Sequence, residues 1–64
     1  MNEALQPLDR VELIAMPNEL DPIPIGTKGT VLSVSNFQGI VYKMKWDDGR
    51  TLSLLEGIDS WKKL

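Results

Sequence analysis

Asp47 and Asp48 are the residues that most invite a chemical reading, because two carboxylates in one place can divide general acid–base work between them. Adjacent side chains at a turn diverge, however, and the run Asp47-Asp48-Gly49 already has the composition of a tight hairpin. Ser33, Ser35, Ser53 and Ser60 supply hydroxyls, but the chain has no His to activate one of them by triad logic. Cys is also absent, which removes disulfides and, together with the missing His, the common Cys/His zinc sites. The expectation is a protein without catalytic residues, metal or cofactor, and so not an enzyme.

Residues suited to contact are easier to find than residues suited to catalysis. Lys43 and Lys45 stand two apart in an alternating segment, which places them on one wet face, and Arg50 follows just across the hairpin. Such a group can dock a phosphate backbone or an acidic protein patch. Phe37, between Asn36 and Gln38 at a loop tip, could fill a pocket on a partner, and Trp61 near the C-terminal end is a further candidate partner-binding residue. Trp46 ends an apolar strand face and reads as core.

These side chains are carried by a short chain of ordinary globular composition. Sixty-four residues with 42% hydrophobic and 25% charged content make a single folded domain over residues 1–64 with one thin core. The net charge of −2 disfavours binding that depends on neutralising phosphates. Charge is uneven, however. Residues 1–24 carry Glu3, Asp9, Glu12, Glu19 and Asp21 against Arg10 alone, whereas residues 25–54 carry Lys28, Lys43, Lys45 and Arg50 against Asp47 and Asp48. No apolar run reaches the ~18 residues of a membrane span, and the first residues lack a basic and then apolar leader, so no signal or anchor is expected. Lack of Cys fits a cytoplasmic location.

The elements that must position these residues are strands. Residues 1–7 show no periodicity and end in Pro7, which suggests a flexible tail. Val11, Leu13 and Ala15 alternate with Glu12 and Ile14 as a half-buried strand. Pro17, Pro22 and Pro24 remove three donors within eight residues and predict a long ordered loop. Gly26-Thr27-Lys28-Gly29 turns the chain into a strand over 30–35, where Val31, Leu32 and Val34 put apolar groups on both faces and so predict a strong bend, with Gly29 fitted to close backbone approach. Ile40, Tyr42, Met44 and Trp46 give a third strand with a core face, and Leu52 and Leu54 give a fourth within 50–55. The spacing of Ile58, Trp61 and Leu64 fits either one helical turn or a closing strand. Short strands without a helical segment make the chain all-β, and closure into a small barrel would remove exposed edges.

Asp9-Arg10-Val11-Glu12-Leu13-Ile14, Asp21-Pro22, Gly26-Thr27-Lys28-Gly29-Thr30-Val31, Trp46-Asp47-Asp48-Gly49, Leu52 and Asp59 together give this chain a resemblance to a family of small SH3-like barrels of unknown function from phages, mobile elements and bacteria. The Gly-x-x-Gly-x-Val segment is also similar to KOW and Tudor-like barrels. The resemblance implies a five-stranded SH3-like barrel and carries over no catalytic residue. Leu8 stands where the family often has Gly, and Phe37 where acidic or small residues are more usual. The functional expectation is a non-catalytic binding module. Its first reading is a protein-binding adaptor or inhibitor of phage or mobile-element type, and the alternative is a nucleic-acid-binding accessory module of KOW-like type. Self-association through paired edges is a third outcome, and no membrane partner is expected.

Overall fold

Alternation of apolar and polar residues gives five antiparallel strands in the computed structural model, which describes residues 4–36 and 38–64. In chain order they are β1 (Arg10–Ala15), β2 (Lys28–Asn36), β3 (Ile40–Trp46), β4 (Leu54–Leu55) and β5 (Ser60–Lys63). They form one sheet in the order β4-β3-β2-β1-β5, so the last strand returns beside the first. The fold is all-β, with no helix among the described residues. Pairing runs from β4 to β5 without joining those two outer strands, so the sheet is open and the expected closure into a barrel is not made by strand pairing.

One side of the sheet is dry. Val11 and Leu13 of β1, Val31 of β2, Tyr42, Met44 and Trp46 of β3, Leu54 of β4 and Trp61 of β5 meet there with Leu5, Met16 and Ile23. Tyr42 and Trp61 pack edge to face with ring centroids 5.4 Å apart, an arrangement that aromatic quadrupoles favour.

The two apolar residues that break the alternation sit at bulges. Register shifts between Leu13 and Ala15 on the β5 side of β1, and between Val31 and Ser33 on the β3 side of β2. Ile14 and Leu32 are the residues between them, and both are exposed. A bulge inserts one residue and favours a local bend of its strand.

The segments outside the long strands refine the sequence expectation. Of the tail expected over residues 1–7, residues 1–3 lie outside the described residues, and Leu5 is buried with its N–H donating to the Tyr42 hydroxyl at 3.3 Å. The proline-rich loop contributes Ile23 to the core as a fully buried side chain, with the Gly26 N–H donating to the Leu13 carbonyl. The fourth strand, expected over 50–55, is the two residues Leu54–Leu55, and two side chains engage backbone groups in the segment before it. Asp48 accepts from the Arg50 N–H at 2.9 Å, and the Trp46 indole N–H donates to the Leu52 carbonyl at 2.8 Å. The C-terminal segment, left open between helix and strand, is the strand β5.

Candidate binding face

Antiparallel pairing puts directly opposed residues on the same side of a sheet, so the register identifies what lies on the wet side. Arg10 opposes Thr30, and Thr30 opposes Lys45. Glu12 opposes Lys28 on one flank and Lys62 on the other. Ser33 opposes Lys43, and Ser35 opposes Val41. Strands that lie far apart in sequence therefore bring Arg10, Lys28, Lys43, Lys45 and Lys62 together on one face, accompanied by the hydroxyls of Thr30, Ser33 and Ser35.

Two acids share this face. Asp47, at the turn after β3, receives both guanidinium nitrogens of Arg10 at 2.8 and 2.7 Å, and Arg10 also donates to the Thr30 hydroxyl at 3.0 Å. The hydrogen bonds from Arg10, aided by the charges of Arg10 and Lys28, hold the Asp47 carboxyl below its ordinary range, and the Asp47 hydrogen bond raises Arg10 in turn. Glu12 lies between Lys28 and Lys62. Five cations against Glu12 and Asp47 give the face +3, and since the chain totals −2, everything else totals −5. The outer face is therefore positive in a chain whose remainder is negative.

The residues singled out from the sequence are distributed differently from the expectation. Lys43 and Lys45 are exposed on the outer side of β3. Arg50 is not beside them. Its guanidinium binds the carbonyls of Asp21 and Pro22, the latter at 3.1 Å, and lies 3.5 Å from the Asp21 carboxylate, so it clamps the proline-rich loop. Trp61 is 3% exposed and packs in the core, which leaves its ring no surface for a partner. Phe37 lies outside the described residues. Lys28 and Lys62 were not picked out as candidates, because only strand pairing brings them alongside Lys43 and Lys45.

Among the described residues there is no pocket and no group of three His, Cys, Asp or Glu side chains placed to hold a metal ion. Asp47 and Asp48 do not converge: the first is engaged by Arg10 and the second by the Arg50 backbone.

Against known proteins, a family model described as "Domain of unknown function (DUF4314)" matches residues 3–64. The chain belongs to this family. No curated protein and no solved structure matches it. In this DUF4314 domain, several of the residues that carried the family resemblance have structural work to do. Asp9 accepts from the Gln6 N–H at 2.8 Å, Gly29 lies against the Trp46 ring, and Gly49 takes φ of 92° in the turn between Trp46 and Arg50. Asp59 accepts from the Leu55 N–H at 2.9 Å and so shapes the turn between β4 and β5. Leu8 itself adopts φ of 76°, a left-handed conformation in which Gly is free of strain.

Proposed function

We propose that this DUF4314 domain is a non-catalytic binding module that uses its outer sheet face to hold an anionic macromolecule. The observation that carries the reading is the gathering of Lys28, Lys43, Lys45 and Lys62 on one side of an otherwise acidic chain. Such a face raises the local concentration of anions even where the net charge is negative. In architecture the domain is read as an SH3-like barrel, supported by the strand order and by the register shift in β2. It is read as acting in the cytoplasm, in the phage or mobile-element setting that the resemblance implies.

The test is retention on immobilised heparin at low salt. Wild type is expected to bind and to elute as salt rises, and a variant with all four lysines changed to Gln is expected to pass through. Free passage of wild type, or equal retention of the variant, contradicts the reading.

A second reading, the adaptor or inhibitor that pairs a strand with a host protein, is supported by β2. Residues 29–42 contain no charged side chain. Beyond Val31, β2 pairs only with β3, and among the described residues no strand covers the other side of Leu32–Asn36. An uncharged edge of this kind accepts an added strand. Capture of a stoichiometric protein from host lysate, lost on Val34→Lys and kept when the four lysines become Gln, would favour it.

A further inference from the structure

We infer that the partner of the outer face is the phosphate backbone of a nucleic-acid duplex, held without reading its sequence; this rests on the outer face being the binding surface. Three features of the face select this partner over an acidic protein or a single strand.

The first is the kind of charge and its spacing. Lys43 and Lys45 project from the same side of β3, about 7 Å apart along the strand. That is about the axial rise over which each strand of a duplex carries two phosphates. Lys28 and Lys62 flank Glu12 on neighbouring strands, so cationic groups extend across the sheet as well as along it. Lysine is a flexible point charge that suits phosphate, whereas the cores of protein interfaces are depleted in Lys.

The second is the set of hydroxyls. Thr30, Ser33 and Ser35 lie on the same face, opposite Lys45, Lys43 and Val41. Serine and threonine hydroxyls are regular donors to phosphate oxygens, where they fix register without carrying sequence information.

The third is the position of the aromatic rings. Tyr42, Trp46 and Trp61 are all buried on the opposite side of the sheet. Binding of single strands draws much of its affinity from bases stacked on exposed rings, and protein hot spots are enriched in Trp and Tyr. Among the described residues the outer face has neither to offer. What it has is charge and hydroxyl groups, which match a backbone whose bases are already stacked on one another.

The inference is tested by fluorescence anisotropy with a labelled mixed-sequence duplex, its labelled separated strands and labelled poly-L-glutamate, each across a range of salt. The duplex is expected to bind at low salt and to weaken with a log–log slope of about −3 to −4, as the release of counterions by about four lysines requires. Lys43→Gln with Lys45→Gln is expected to make the slope shallower by about 2. Lys63→Gln, at a residue whose Nζ lies 3.6 Å from the Asp9 carboxylate off this face, is expected to leave the slope unchanged. Equal or tighter binding of the separated strands overturns the inference, as does a slope insensitive to the double variant. Binding of poly-L-glutamate without binding of the duplex also overturns it while leaving the outer-face reading intact. Failure of every polyanion to bind at low salt removes both.

Discussion

A methyl group at residue 29 would stand 2.6 Å from Trp46 Cε3 and 3.2 Å from the Lys45 carbonyl oxygen. The indole cannot swing away, since Trp46 is buried and its N–H is held by the Leu52 carbonyl. Gly29→Ala is therefore expected to destabilise the domain by about 1–3 kcal/mol, the usual cost of overpacking, with a change in tryptophan emission in denaturant titrations. Asp59 gives a pH signature at the same scale. Burial pushes its carboxyl up from the ordinary 3.8, opposed by the hydrogen bond from Leu55 and reinforced by Glu19. Because ionisation is harder in the folded state, its contribution to stability falls as pH rises through the window above 3.8. Asp47 has the opposite sign: its carboxyl is lowered, so its contribution is present above 3.8 and is lost as pH falls through the depressed value. Asp59→Asn keeps an oxygen for the Leu55 N–H, and denaturation midpoints are expected to lose the first dependence while keeping the second. Asp59→Ala removes the acceptor as well and is expected to cost about 1–3 kcal/mol at neutral pH.

Among the elements, those legible in the sequence are the ones built by alternation. β1 and β3 fall where Val11-Leu13 and Tyr42-Met44-Trp46 place them, and the both-faced pattern of Val31, Leu32 and Val34 falls where the register of β2 shifts. Elements decided by particular side-chain bonds or by tertiary packing were not legible. The residue pattern does not say that Asp48 will take the Arg50 N–H and Trp46 the Leu52 carbonyl, or that Ile23, between two prolines, will enter the core. The same holds for Arg50, which looks like a surface cation in a hairpin and serves as the clamp on the loop before β2. Arg50→Ala is expected to cost about 1–2 kcal/mol, from charge-assisted bonds in a partly exposed setting, and to speed cleavage between Met16 and Thr27 in limited proteolysis. Cleavage at the wild-type rate would show that the prolines hold the loop unaided.

Over the whole molecule the sheet separates two tasks. The inner side provides cohesion through the apolar residues, among them Val11, Leu13, Val31 and Trp46 of the family pattern, and the outer side is left free to make contacts. The charge count along the chain hinted at this division, but the face itself was only half visible. Lys43 and Lys45 could be paired from spacing within one strand, whereas Lys28 and Lys62 join them through the β1–β2 and β1–β5 registers, which follow from the tertiary fold. The expected contacts through Arg50 and Trp61 dissolve for the same reason, since loop packing and core packing claim those side chains first. The claim that function resides on the outer face is tested most directly by an amide-resolved NMR titration with a short heparin fragment. The expected result is that shifts concentrate at Glu12, Lys28, Thr30, Ser33, Lys43, Lys45 and Lys62. Shifts concentrated instead in the proline-rich loop, or none at low salt, would contradict it.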